Sequence, residues 1–388
     1  MRFIHTADWH LGRLFYGRHL TEDQEYVLDQ LIQLAADEKP DVLLIAGDVY
    51  DRAVPPPEAV GLLDDVLSRL VLDLHVPVIM IAGNHDSPDR LGFGSRVLAG
   101  QGLHVIGSPR AAGACVTLTD DAGPVHFFAV PFIEPSIIRY MADQQDSQDT
   151  PQDYSQAFGG LLRQARAARP SVERSVLVSH AFVSGGAESE SERPLSVGGA
   201  DRLPVDCFDD FSYTALGHLH GPQKVGRENV RYAGSILKYS FSEVNQSKGV
   251  SLVEMDETGS CIIQEVKLTP QRDVRRVEGH IREFLEEPEK WGPQDDYVLV
   301  SLLDKDAFLD VRGKLETVFN NVMQIERPQL AQAGENRSRI ADHRKLSDVD
   351  LFDSFFREVT GDPLTKEEKA AYERIVDELR RCEREVSK

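Results

Sequence analysis

Val42-Leu43-Leu44-Ile45-Ala46-Gly47-Asp48 is the stretch on which the reading of this chain turns. Four branched apolar residues in succession are the pattern of a strand buried on both faces, as in a parallel sheet. The run ends in Ala-Gly, where a missing side chain permits a sharp turn. It then delivers a carboxylate at the C-terminal end of the strand, the edge at which open α/β sheets carry their chemistry. Asp48 has two oxygens and can bridge two metal ions. A Gly-Asp pair by itself is more often a turn than a ligand, so its weight comes from the other strand ends.

Working outward, the same design recurs. Residues 2–7 read as a short strand ending in Asp8-Trp9-His10-Leu11-Gly12, where a D-x-H pair sets two donors on one loop. Residues 76–82 end in Gly83-Asn84-His85-Asp86-Ser87, and residues 175–178 end in Ser179-His180. Residues 213–216 end in Gly217-His218-Leu219-His220, whose H-x-H points two imidazoles the same way from an extended chain. Taken singly, each of these is a turn Asp, a turn Asn or a surface His. Between them the periodicity predicts helices over 22–36, with Thr21 as N-cap, over 57–71 behind Pro57, and over 158–166. Short strands within 103–134 read as the second half of a sandwich. Residues 142–157 lack apolar content and read as a loop, as does the Gly-, Ser- and Glu-rich stretch 183–200.

Five of the twelve histidines (10, 85, 180, 218 and 220) fall in these strand ends. Imidazole, carboxylate and amide donors without thiolate suit Mn, Fe or Zn better than Mg alone. The expected assignment puts Asp8, His10, Asp48 and His220 on one ion and Asp48, Asn84, His180 and His218 on a second. Two such ions clamp the attacking and leaving oxygens of an in-line phosphoryl displacement. His85 is read as a non-ligand placed to protonate the leaving oxygen.

At 388 residues, with 41% hydrophobic and 28% charged content, the chain has material for two or three globular domains. A formal net charge of −21 argues against a protein that coats nucleic acid unaided. Cys115, Cys207, Cys261 and Cys382 are scattered with no C-x-x-C pair, as expected of reduced thiols in a cytoplasm. No signal peptide is apparent, and no apolar run reaches the ~18 residues of a membrane span. Beyond residue 270 the texture changes. Helix over 275–287, strand over 297–303, helix over 307–319 and strand over 322–326 predict a small α/β module. Residues 331–345 read as a polar linker, and two amphipathic helices within 346–388 read as a tail that docks on a partner.

D-x-H, G-D, G-N-H-D, a lone His and G-H-x-H, in that order, resemble the calcineurin-like metallophosphoesterases over roughly residues 1–270. Within that superfamily Ile4-His5-Thr6-Ala7-Asp8-Trp9-His10-Leu11-Gly12, Gly83-Asn84-His85-Asp86-Ser87, His180-Ala181-Phe182-Val183-Ser184-Gly185 and Ala215-Leu216-Gly217-His218-Leu219-His220 are similar to the SbcD family of bacterial nuclease subunits. The resemblance implies a four-layer αββα sandwich (1–270), a small α/β capping domain facing DNA (271–330), the linker, and a C-terminal helical hairpin (346–388). It implies a Mn2+-dependent exonuclease and endonuclease acting on duplex ends, hairpins and single strands. It also implies a homodimer, a cytoplasmic and nucleoid-associated location, and an SbcC-type ABC ATPase gripped by the tail. Such a partner would supply DNA-holding surface that the acidic chain lacks. Archaeal and eukaryotic relatives carry a His a few residues after the bridging Asp. Asp51 stands in that place here, and that role is not carried across.

Two rival readings stand beside this one. Gly47-Asp48-Val49-Tyr50-Asp51-Arg52-Ala53 is close to the G-D-x-V-D-R-G of phosphoprotein phosphatases, with Arg52 as a phosphate clamp. Against it, Asp86-Ser87 follows Gly-Asn-His where those enzymes have Glu. A scaffold with a vestigial metal site is the second rival, and an intact donor set argues against it.

Overall fold

The computed structural model describes residues 1–134, 137, 153–167, 174–192, 202–304, 308–328 and scattered positions from 352 to 375. The chain divides into two compact units, residues 1–276 with 295–298, and residues 277–294 with those from 299 onward.

The first unit is built on two six-stranded sheets. One runs Cys261–Lys267, Gly249–Met255, Arg2–Thr6, Val42–Ile45, Val78–Ile81, Leu103–Ile106, and its last four strands are parallel. The other runs Gln223–Val225, Arg227–Tyr232, Tyr213–Gly217, Ser175–His180, Gly123–Val130, Ala114–Asp120. Alternation along each strand divides two faces. Phe3, Val42, Leu44, Ile79 and Ile81 meet Phe127, Val176, Val178, Tyr213 and Ala215 in one buried cluster between the sheets. Phe128, Leu177 and Leu216 point the other way, into a cluster with Tyr154, Phe158 and Leu162 of the helix Tyr154–Ala167. Helices Thr21–Glu38 and Pro57–Ser68 bury Val27, Leu28, Leu31, Leu63 and Val66 and make the remaining layer of the αββα sandwich.

Register sets where the polar strand ends emerge. Thr6 pairs with Ile45 and Ile45 with Met80, while Gly217 pairs with His180. The parallel strands therefore stop level, and their exits lie along one rim.

Several expectations need correction. Thr21 is the first helical residue and caps nothing, because Leu20 holds the N-cap position. Residues 105–106 belong to the first sheet, where Leu103–Ile106 pairs parallel with Val78–Ile81. The helix expected from 158 starts at Tyr154, whose ring is buried, so the end of the stretch read as a loop is helical. Residues 142–152 and 193–200 lie outside the described residues, as do the linker and most of both tail helices.

A three-stranded sheet follows in the order Val274–Gly279, Tyr297–Leu302, Asn321–Glu326. The helix expected over 275–287 is thus a strand followed by a short helix, Ile281–Glu286. Its apolar spacing fits either element, but at Gly279 an added Cβ would lie 2.9 Å from Trp291, and His280 and Glu283 then form a capping box that starts the helix afresh. The helix expected over 307–319 shrinks to Val311–Leu315, because the Asp310 side chain accepts from Gly313 N and restarts the turn there. In the second unit Phe284 packs on Trp291 and Phe319.

A buried polar strut joins the two sheets of the first unit. Fully buried His5 donates from Nε2 to Leu216 O at 3.1 Å and accepts at Nδ1 from the Tyr213 hydroxyl at 3.0 Å. Burial lowers its pKa to about 3, so the folded chain keeps it neutral where the unfolded chain would take up a proton. Its contribution is complete above pH 6.5 and is lost progressively as pH falls toward 3. Urea unfolding in EDTA between pH 6 and 4 is expected to lose stability more steeply in the parent than in His5→Gln, by up to about 1.4 kcal/mol per pH unit. Equal slopes would assign the loss to other groups.

Candidate metal centre

The rim is assembled by backbone pairing between loops that follow different strands. Asp8 N donates to Gly47 O at 3.0 Å, His10 N to Asp48 O at 3.0 Å and Leu11 N to Val49 O at 2.9 Å. To fit this zipper Asp8, His10 and Asp48 adopt φ of 53°, 47° and 48°, and His218 a φ of 111°. Left-handed backbone costs a non-glycine residue about 1–2 kcal/mol, and such strain gathers at functional positions. Gly47 is needed on two counts: its φ is +92°, and a Cβ there would fall 2.4 Å from His180 Nδ1.

The side chains converge within this frame. His10 Nε2 lies 3.0 Å from His220 Nε2 and 3.7 Å from Asp48 Oδ2. His180 Nε2 lies 3.5 Å from Asp48 Oδ2 and 3.0 Å from Asn84 Oδ1, and His218 Nδ1 lies 3.1 Å from the same amide oxygen. Donor atoms of Asp8, His10 and His220 lie within 4.8 Å of one another, as do those of Asp8, Asp48 and His180, and those of His10, Asp51 and His85. Asp8, His10, Asp48, His180, His218 and His220 are all buried, whereas Asn84 and His85 are half-buried. The structure brings all seven expected donors together, with His85 beside them.

Proton positions define what the cluster can hold. His180 Nδ1 sits 2.9 Å from Ala46 O, an atom that can only accept, so Nδ1 carries the proton and Nε2 presents a bare lone pair. That lone pair faces a carboxylate and, in this orientation of the amide, the oxygen of Asn84. Asn84 Nδ2 and His10 Nδ1 have no hydrogen-bond partner. Burial, then the neighbouring Asp48, raises the Asp8 carboxyl well above its ordinary range. Burial and adjacent imidazoles hold His10 and His218 well below theirs, and burial lowers His180 too. Acceptors facing acceptors in this way form an arrangement that a divalent cation stabilises. The donor set fits such ions.

Three supports were not legible as such. The buried amide of Gln24 donates to Trp9 O, His10 O and the Tyr239 hydroxyl, and accepts from Gly12 N, so it pins the whole D-x-H loop. Asp86 accepts from Val49 N, Tyr50 N and Gly83 N and ties the second strand end to the third. Asp51 takes the Arg13 guanidinium at 2.8 Å and stands 3.6 Å from His10 Nδ1, while its carbonyl accepts from His85 Nδ1 at 2.8 Å. Arg52 is exposed.

A family model for calcineurin-like phosphoesterase matches residues 1–222. A second, described as type 5 capsule protein repressor C-terminal domain, matches residues 270–360. The SbcD component of the SbcCD nuclease of Staphylococcus epidermidis is 33% identical over 94% of this chain and 95% of its own length. The chain belongs to the SbcD family of calcineurin-like phosphoesterases. The corresponding protein of Staphylococcus saprophyticus is 31% identical, with 98% of each chain covered. Among solved structures, a dimetal phosphatase from Danio rerio aligns with a TM-score of 0.40 at 13% identity, over 70% of this chain and 97% of that one. Membership makes the chain a metal-dependent phosphoesterase, and the fold is the one this superfamily shares.

Replacing Gln24 by Ala strands the Gly12 N–H and removes the amide from Trp9 O and His10 O, which keep the Tyr239 hydroxyl and Arg13 N as donors. The expected cost is about 3 kcal/mol, read by urea unfolding in EDTA. A loss below about 1 kcal/mol would mean that water takes over those bonds.

Proposed function

We propose that this phosphoesterase is a dimetal-dependent DNA nuclease, cutting phosphodiester bonds as exonuclease and endonuclease together with an SbcC-type ABC ATPase. The observation that carries the reading is the buried convergence of acceptor atoms that face one another, in a chain whose curated relatives are named nucleases. In this reading Asp8, His10, Asp48 and His220 hold one ion and Asp48, Asn84, His180 and His218 the other. The mix of imidazole, carboxylate and amide suits Mn, Fe or Zn better than Mg alone, and the resemblance to the SbcD family selects Mn2+ among them. Bound ions would supply Lewis acidity at the scissile phosphate and its oxygens.

The residues of the chain do the rest. His85 spends Nδ1 on Asp51 O, and its backbone N–H donates to Asp48 Oδ1 at 2.8 Å, so the ring is fixed beside the ions with Nε2 free. Half-buried, it can take up a proton at Nε2 from solvent and pass it to the departing oxygen. The reading extends to a homodimer located in the cytoplasm at the nucleoid. Residues 271–330 would face DNA, and the tail 346–388 would bind the ATPase. The named complex of the relatives, SbcCD, supports a partner protein. A chain of net charge −21 has reason to borrow basic surface from one. Among the described residues no helix is long and apolar enough to cross a membrane.

The deciding experiment measures Mn2+-dependent cleavage of duplex and single-stranded DNA alongside hydrolysis of a phosphomonoester. Cleavage of DNA is expected, with His85→Gln about 10³-fold slower yet still binding two ions per chain. Preferred hydrolysis of the monoester would instead favour the phosphatase reading of Gly47–Ala53, and loss of an ion in His85→Gln would make His85 a ligand. Truncation after residue 335 is expected to spare cleavage of single strands and abolish binding of the ATPase in pull-down. An intact complex would place the contact elsewhere.

A further inference from the structure

His220 is held far more elaborately than the other imidazoles of the rim, and by residues that no strand-end motif contains. Its ring Nδ1 lies 2.5 Å from the hydroxyl of Ser191. That hydroxyl lies 2.5 Å from Glu243 Oε1, and Lys248 Nζ lies 2.5 Å from Glu243 Oε2. The backbone of His220 is gripped as well: its N–H donates to Glu192 Oε1 at 2.7 Å, and its carbonyl accepts from Lys248 Nζ at 2.7 Å. Ser191, His220, Glu243 and Lys248 are 8%, 1%, 0% and 5% exposed. Ser191 and Glu192 come from the Gly-, Ser- and Glu-rich loop, which is moored by Glu190 N to Ser242 Oγ at 3.0 Å.

We infer that Ser191 and Glu243 are positioning residues that fix the tautomer and direction of His220, so that its Nε2 faces the first ion of the proposed pair. These contacts fix the proton between Ser191, Glu243 and His220 Nδ1. An ionised carboxylate held by a lysine only accepts, so the single hydroxyl proton of Ser191 goes to Glu243. The Ser191 oxygen then has only lone pairs to offer, and His220 Nδ1 must be the donor. In the neutral ring this leaves Nε2 as the ligand atom, 3.0 Å from His10 Nε2, in the group that also contains Asp8. The His10 ring has no such chain of contacts: its Nδ1 makes no hydrogen bond and only faces Asp51 Oδ1 at 3.6 Å. The ion on this side thus depends on a long loop for one of its ligands. Partners of this kind change metal affinity by about 10–100-fold.

The inference rests on the two-ion reading, and the test separates the two. Mn2+ binding to the full-length chain is titrated by electron paramagnetic resonance for the parent, Ser191→Ala and Ser191→Thr, with urea unfolding in EDTA alongside. The parent is expected to bind two ions. Ser191→Ala is expected to weaken one of them about 10–100-fold and keep the other, while still unfolding cooperatively in EDTA. Ser191→Thr, which keeps the hydroxyl, restores it. Equal affinities in parent and Ser191→Ala overturn the inference while leaving the two-ion reading standing. A parent that binds fewer than two ions overturns that reading itself. Long-range proton–nitrogen NMR of metal-free, histidine-labelled parent gives an answer independent of any variant's folding: a proton on His220 Nδ1 supports the assignment, and one on Nε2 refutes it.

Discussion

Two carboxylates and a ring of imidazoles, all out of water and all able to accept, are what the rest of this molecule is arranged to tolerate. Asp8 and Asp48 repel one another where solvent cannot screen them, and the lone pair of His180 meets only oxygen. Left to themselves such groups would drift apart or recruit protons. They stay because the strands beneath them are locked in register by a core made of Phe3, Leu44, Ile79, Phe127, Val178 and Tyr213. Packing at that density transmits force and does not yield. The electrostatic cost is local, and what offsets it is spread over the whole sandwich.

The backbone is shaped by the same demand. Left-handed conformations at Asp8, His10 and Asp48 turn their side chains inward, something a strand continued in regular geometry could not do. The conformations are over-determined from outside by the pairings of Asp8, His10 and Leu11 with Gly47, Asp48 and Val49, and by the amide of Gln24 and the carboxylate of Asp86. These supports have no part in the chemistry. Their contribution is that the donors cannot relax when charge is placed among them or removed.

How much of this the sequence discloses depends on the kind of signal. The strand ends are legible because a buried apolar run that stops at a polar side chain has few other uses, and several repeats of one pattern constrain each other. That pattern singles out Asp8, His10, Asp48, Asn84, His180, His218 and His220, and they do converge. Gln24 is hidden because a Gln on an amphipathic helix is ordinary, and only the tertiary fold reveals that this one faces inward at 0% exposure. Glu243 and Ser191 are hidden for a similar reason, being separated in sequence from each other and from His220. The helix expected over 275–287 fails differently. Its residues suit both periods, and pairing beside Tyr297–Leu302 outweighed local preference.

At Gly217 the backbone runs so close to its neighbour that an added Cβ would stand 1.9 Å from the carbonyl oxygen of Ala46, which follows a strand of the opposite sheet. The two halves of the sandwich are thus in contact at the very seam where the donors sit, with Asp8, His10, Asp48 and Asn84 on one side and His180, His218 and His220 on the other. Any cation lodged there is a rivet as much as a reagent. By linkage, an ion at a hundred times its dissociation constant would add about 2.7 kcal/mol to the folded state. Removing such an ion would take that increment away and leave the sheets joined by the apolar core between them.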